Sequence, residues 1–320
     1  MKKTWLFLIC LMNVTSYMQA QPKVSIASYY GGRKAAVSYT FDDGIQDQYT
    51  LAYPEMKRRG IRATFAIIGS KVDGIIKAKN TDPVPAMTWT QIRQLYADGF
   101  EIASHGWNHR GLPRLDEASL KQEVQKNDSA IVDEIGQYPL TFVYPGNSKN
   151  DTVVTFVEST RVGSRTKQTR FGGSKDTAYM NAFVDNLLKT GSWGVTMTHG
   201  IATGYDHFQD PTQLYSHWDY VSTLQDQLWV APFCEVAAYV KERDAVKLDV
   251  RLCGNCIDVT PTCPLNPTLF TQLLTLEYHG PGQLLSARQG NHELKVYENG
   301  RRQFVDFNPH GKTILLTIKK

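Results

Sequence analysis

The stretch "MKRRGIRATFAIIG", Met56 to Gly69, decides the fold. It reads as the end of a helix, a stop at Gly60, and then a short apolar strand closed by a second glycine. Glycine ends a helix in the left-handed conformation without steric cost, so the phrase is helix, cap, strand. The same phrase recurs as "QLYADG" before "FEIASH", "IVDEIG" before "YPLTFVYPG", and "NLLKTG" before "SWGVTMTHG". Repetition of that unit predicts parallel strands with crossover helices. The helical stretches agree, with Leu120, Val124, Ile131 and Ile135 falling on one face. Strands near 35–41, 62–68, 100–104, 140–144, 161–165, 193–198 and 228–231 make about seven, which suits an open doubly wound sheet or an incomplete barrel equally.

Beyond about Lys247 the texture changes to short alternating runs, such as "KLDVRLC", "LLTLEYHG" and "RQFVDFNPHG", separated by Gly, Pro and Asn turns. That pattern predicts a small antiparallel sandwich, and Asn299–Gly300 marks a hairpin within it. At the other end, "MKKTWLFLICLMNVTSYMQA" has the two lysines, short apolar run and small residues of a secretory signal cut near Ala20. The expected organisation is a signal over 1–20, an α/β unit over 21–245 and a β-sandwich over 246–320. The expected location is outside the cytoplasm: periplasmic, cell-surface or extracellular.

Without Lys2 and Lys3 the formal charge falls from +4 to +2. So even a balance argues against nucleic acid as a partner. No later run reaches the roughly 20 apolar residues of a membrane span. Export permits disulfides among Cys234, Cys253, Cys256 and Cys263. The "CGNC" of 253–256 resembles half of a zinc ribbon, but Cys234 and Cys263 do not supply the second close pair that a ribbon needs. Oligomeric state is left open.

In a parallel α/β fold, functional groups gather at the carboxyl ends of the strands. Four of the expected strands end in "TFDDG", "ASHGWNH", "FVYPGNS" and "TMTHG". His105 and His109 are four apart, close enough on a helical turn to share a metal ion. The zincin pattern is excluded because Gly106 stands where its glutamate belongs. Asp42 and Asp43 are the natural source of a third ligand. Both can face one site only where the strand breaks, and Gly44 permits the break. Two histidines and a carboxylate leave a position open for water, as in a catalytic rather than a structural site. His199 ends a fourth strand and could act as a proton donor. His207 and His217 lie in more polar sequence and read as surface or substrate-edge residues.

With those residues together, the sequence resembles the polysaccharide deacetylases, the NodB homology domain of carbohydrate esterase family four, over about residues 30 to 240. "TFDDG" is similar to the family's first motif, "SHGWNH" to its second in histidine spacing, and "MTHG" to its last. The resemblance implies a distorted barrel of seven β/α units. It implies that Asp42 is the general base, that Asp43, His105 and His109 bind a divalent metal (zinc, or cobalt or nickel), and that His199 is the general acid. The implied reaction is removal of an acetyl group from a glycan, usually the N-acetyl of an amino sugar.

The third motif departs from the family. It usually reads R-x-P-Y-G, whereas "TFVYPGNSK" has no arginine two before Pro145, and the N–H expected to hold the oxyanion would come from Gly146. Arg165 in "GSRTK" resembles an arginine found near the fourth motif in part of the family and is expected to approach Asp42. The tryptophan and aspartate positions of that motif are not clearly matched, Asp185 being a candidate for the aspartate. Tyr144 and Trp107 are expected to touch the sugar, and the loops Lys71–Trp89 and Ile201–Gln213 to set specificity. An O-acetyl esterase acting on xylan-type glycans is the rival enzyme reading. A non-catalytic glycan-binding protein is the rival outside enzymes.

Overall fold

The computed structural model describes residues 22–78 and 81–319. The signal expected over 1–20 lies outside the described residues, and among these no helix is long and apolar enough to cross a membrane.

A central strand is split at Tyr39 into Ala35–Ser38 and Thr40–Phe41. Its first half runs parallel between Trp193–Met197 and Leu228–Val230. Its second half starts a parallel series through Thr64–Ile67, Glu101–Ser104, Thr141–Val143 and Gly163–Arg165. A bridge from Phe41 to Thr198 holds the two series side by side. The sheet curls into a distorted, incomplete barrel, because no pairing among the described residues joins Gly163–Arg165 to the next strand, Thr169–Arg170. All seven strands expected from the sequence are present.

The helix, cap, strand phrases fold as read. Asp116 accepts from the Ser119 amide to start the helix Glu117–Ile135, and Gly136 ends it at φ 71°. Asp176 starts Thr177–Thr190 in the same way, and Gly191 ends it at φ 67°. Strands such as Ala35–Ser38, Thr64–Ile67 and Glu101–Ser104 are buried along their whole length, as strands covered by helices on one side and core on the other must be. Phe41, Phe65, Ile67, Ile102 and Trp218 belong to the apolar layer between the sheet and its helices.

The tail is a two-sheet antiparallel sandwich. One sheet has the order Lys247–Cys253, Cys256–Thr262, Ile314–Lys319, Gln283–Gln289, His292–Leu294. The other contains Leu274–His279, Arg302–Phe307 and Val296–Asn299. Lys23–Ile26, which the sequence reading grouped with the α/β unit, instead pairs antiparallel with Leu276–His279. Its alternation explains this: Val24 and Ile26 insert into the sandwich core, leaving Lys23 and Ser25 outward. That core continues into the barrel through Trp229, Val236 and Tyr239, so the tail packs on the barrel over a shared apolar seam. Cys234, Cys253, Cys256 and Cys263 are free thiols.

Candidate active site

The strand ends converge on a cleft of about 610 Å³ lined by Asp42, Asp43, His105, His109, Gly146 and His199 among others. Asp42 is still in the ladder, its N–H donating to Thr198 O at 2.8 Å. The strand breaks one residue later, with Asp43 at φ 74° and Gly44 at φ 78°. Positive φ is costly for a residue with a Cβ, and Asp is among the few that tolerate it. The twist turns the second carboxylate back toward the side of the first, so adjacent residues share one cleft.

His105 follows the strand Glu101–Ser104 and is almost fully buried. Its Nδ1 lies 2.7 Å from Val143 O. A carbonyl can only accept, so Nδ1 carries the proton and the Nε2 of a neutral ring is a lone pair. That lone pair faces Asp43 Oδ1 at 3.3 Å, and His109 Nε2 faces the same oxygen at 3.5 Å. Asp43 Oδ1 is buried and has no hydrogen-bond partner. Acceptors turned toward one another around an unpartnered buried carboxylate oxygen fit a cation between them, and the three donor atoms lie within 4.8 Å of each other. The chemistry of the set, two imidazoles and one carboxylate, also fits a divalent transition ion.

The spacing of the two histidines works by a different route from the one expected. Residues 105–109 are not a helical turn. Gly106 at φ 76° and His109 at φ 60° fold the chain back instead, bringing the rings to 4.8 Å between centroids. Glu123, which sequence reasoning missed, holds that fold. Its buried carboxylate accepts from the amides of Asn108 at 2.6 Å and Arg110 at 3.2 Å. The signal was present, since Glu123 and Asn127 sit at the i+3 and i+7 positions from Leu120, on the face that packs inward.

Electrostatics follow from this crowding. Burial pushes the Asp43 carboxyl up, but positive charge on the facing His105 and His109 rings outweighs it and brings it down to about 2. Burial and the neighbouring His105 bring His109 down to about 4. His105 is raised, Asp43 and Asp42 together overcoming the penalty of burial.

Asp42 is gripped by Arg165. The guanidinium donates Nη1 to Oδ1 and Nη2 to Oδ2, both at 2.6 Å, and Nη1 also reaches Thr40 Oγ1 at 2.6 Å. Both side chains are buried. Arg165 ends the last strand before the gap in the barrel, so its long side chain crosses the interior to a strand it does not pair with. Burial would raise the Asp42 carboxyl, but the Arg165 charge and hydrogen bonds hold it below the usual range. His199 Nε2 stands 4.0 Å from Asp42 Oδ2, its Nδ1 is buried without a partner, and Tyr205 meets its ring edge-on at 4.9 Å. Gly146 lines the cleft at φ 58° within the turn Pro145–Asn147.

Three expected positions lie elsewhere. Tyr144 is buried below the cleft, its hydroxyl donating to Ser164 Oγ at 2.8 Å on the neighbouring strand, because the preceding alternation turns its ring into the Phe142 cluster. Trp107 is drawn away by a close approach to Gly69 and by Lys126, whose Nζ sits 4.3 Å over the ring, and it does not line the cleft. Asp185 is exposed on Thr177–Thr190 and accepts from Tyr220. His217, read as a surface or substrate-edge residue, is fully buried between Tyr39 Oη at 2.7 Å and Asn181 Oδ1 at 2.8 Å. It lies on the inward face of Thr212–Ser222 with Leu214, Trp218 and Val221. His207 is exposed beside the loop carrying Pro83 to Pro85.

Residues 30–162 match the family model for polysaccharide deacetylase. Over this segment the chain is similar to the polysaccharide deacetylase family. A peptidoglycan-N-acetylglucosamine deacetylase of Listeria monocytogenes, PgdA, is 27% identical over 121 residues, covering 37% of this chain and 22% of that protein. A chitin deacetylase of Pestalotiopsis sp is 26% identical over 106 residues, covering 33% of this chain and 32% of its own. The chain thus spans less than a third of either relative. A solved structure from Mycobacterium smegmatis, assigned as a polysaccharide deacetylase, superposes with a TM-score of 0.50 at 17% identity, over 69% of this chain and 94% of that one, and bears on the fold. All of the first two histidine and aspartate motifs fall inside the matched segment, whereas Arg165 and His199 fall beyond it.

Proposed function

We propose that the protein is an exported, metal-dependent carbohydrate deacetylase that removes acetyl groups from a glycan, foremost the N-acetyl groups of an amino-sugar polymer. The observation that carries this reading is the side-by-side placement of an Arg165-locked Asp42 carboxylate and the converging Asp43, His105 and His109 donors in one cleft. The names of the Listeria and Pestalotiopsis relatives support the amino-sugar substrate.

Asp43 Oδ1, His105 Nε2 and His109 Nε2 would hold the ion, zinc or else cobalt or nickel, which when bound supplies Lewis acidity and an acidified water. The protein's own groups do the rest. Asp42, kept ionised by Arg165, takes the proton of the attacking water on Oδ2, the oxygen nearer His199. The Gly146 N–H, at the cleft wall, donates to the oxygen that gains negative charge as the carbonyl is attacked. His199 Nε2 gives a proton to the departing amine. Val143 O, by fixing the His105 tautomer, keeps Nε2 available as a donor atom.

Acetate release by the zinc- or cobalt-loaded protein tests the reading, with chitooligosaccharides and acetylxylan compared in parallel. Release from the former is expected, and preferential release from acetylxylan would assign the O-acetyl esterase instead. Glycan binding with no acetate from any substrate would replace both with a non-catalytic role, the reading fed by the altered third motif.

A further inference from the structure

We propose that Asp47 and Gln48, just downstream of the two cleft aspartates, form a clamp that positions His199 against Asp42. The inference rests on the deacetylase reading for what the positioning achieves, and on the geometry alone for its existence.

Parallel pairing between the strands carrying Asp42 and His199 ends at Asp42 N to Thr198 O, 2.8 Å. The next carbonyls, Asp42 O and His199 O, therefore leave the ladder at a buried edge, where an unpaired acceptor is costly. Gln48, which is fully buried, supplies both. Its Nε2 donates to Asp42 O at 2.7 Å and to His199 O at 2.8 Å. Carbonyls only accept, so these contacts also decide which way the Gln48 amide points. One side chain thus spans the backbone of the proton acceptor and of the proton donor.

Asp47 secures the chain beyond His199. Its Oδ2 accepts from the successive amides of Ile201 at 3.0 Å, Ala202 at 2.8 Å and Thr203 at 2.9 Å, and from the Thr203 hydroxyl at 3.2 Å. Successive amides converging on one anionic oxygen form a nest, which fixes the backbone dihedrals of the whole turn. The turn is tight: a Cβ at Gly200 would lie 1.8 Å from Thr203 O. Gly200 N in turn bonds Tyr205 O at 3.1 Å, placing the ring that abuts His199. Neither Asp47 nor Gln48 lines the cleft, so both act through the loop and are positioning residues.

The clamp predicts a defect in turnover rather than in metal or substrate binding, because displacing a catalytic group by a fraction of an ångström lowers rate without removing a contact to the ground state. Gln48→Met keeps the length of the side chain and removes the donors, whereas Asp47→Ala removes the acceptor. Both are expected to lower kcat about tenfold or more, with KM within about threefold of wild type and metal stoichiometry unchanged. Asp47→Asn keeps one acceptor oxygen in place and is expected to recover most of the loss, which a role in bulk stability alone would not give. Hydrogen exchange of the Ile201, Ala202 and Thr203 amides, measured without substrate, should accelerate in Asp47→Ala. Unchanged exchange at those amides overturns the clamp whatever the activity. So does a kcat within about twofold of wild type in both Asp47→Ala and Gln48→Met, or a loss of turnover that follows loss of metal. A wild-type protein that releases no acetate while the exchange result holds would leave the clamp standing and reject the deacetylase reading.

Discussion

Arg165→Met removes the cation from Asp42 while keeping an unbranched, apolar side chain of similar length in the barrel. The guanidinium makes two bonds of 2.6 Å to a carboxylate whose side chain, like its own, is almost wholly out of solvent. Deleting one member of such a pair strands the other, at about 3–5 kcal/mol. An upper bound comes from Asp42 itself, which can escape by taking a proton. Protonating a carboxyl with an ordinary affinity near pH 4 in solution at pH 7 costs about 4 kcal/mol. The expected destabilisation at pH 7 is therefore about 3–4 kcal/mol. The sign with pH follows. In the wild type Arg165 holds the folded Asp42 value below the unfolded one near 4, so that stabilisation is intact down to about pH 4 and is lost only below it. The stranded Asp42 of Arg165→Met is instead relieved by protonation, whose cost falls by about 1.4 kcal/mol per unit from pH 7 toward 4. Urea unfolding of the chelator-treated protein, run from pH 7 down to about 4, reads both effects, and the gap between wild type and Arg165→Met should narrow toward acid. Adding Asp42→Asn to Arg165→Met should restore part of the stability, since the stranded charge goes with it. A loss below about 1 kcal/mol at pH 7, or a double variant no more stable than the single one, would refute the claim that Arg165 neutralises Asp42.

Asp43→Asn should keep the fold, because Asn also tolerates the left-handed conformation at φ 74°, yet abolish stoichiometric zinc binding as read by calorimetry; tight binding in that variant would remove Asp43 from the ligand set. His109→Ala should lose the metal as well, whereas Asp42→Asn should retain it and lose acetate release. Tyr144→Phe deletes the bond to Ser164 and should lower stability by about 1 kcal/mol while leaving KM for the glycan unchanged, since the ring lies below the cleft. His217→Asn probes a buried imidazole that burial brings down to about 3. Because the folded value is depressed below the unfolded one near 6.5, the neutral ring stabilises fully above that pH, and the stabilisation is lost on acidification from about 6.5 toward 3. Each pH unit of that separation is worth about 1.4 kcal/mol, so the variant should flatten the acid limb of the stability curve measured by thermal unfolding. An acid limb as steep as that of wild type would show that another group drives it.

What the sequence made legible is what depends on local order. Glycines after helical runs located the parallel strands because a left-handed cap is a short-range requirement, met at Gly136 and Gly191. Parallel strands end in one layer, so Asp42, His105 and His199 were bound to meet wherever their strands were correctly placed. The turn joining His105 to His109 was misread, since four-residue spacing is compatible with a helix or with a fold-back through two left-handed residues, and only tertiary contacts such as Glu123 choose between them. Tyr144 and Trp107 were misplaced for the same reason: an aromatic next to a motif looks available for a sugar until Ser164 or Lys126 and Gly69 claim it. Arg165 shows the opposite case. The third motif of this chain has no arginine two before Pro145, but a buried carboxylate at the barrel interior requires a cation from some neighbouring strand, and the gap after Gly163–Arg165 is where a long side chain can cross. The requirement belongs to the charge and not to the sequence position, so an arginine on a different strand end can satisfy it, and the strand that borders the open seam is the one free to donate it.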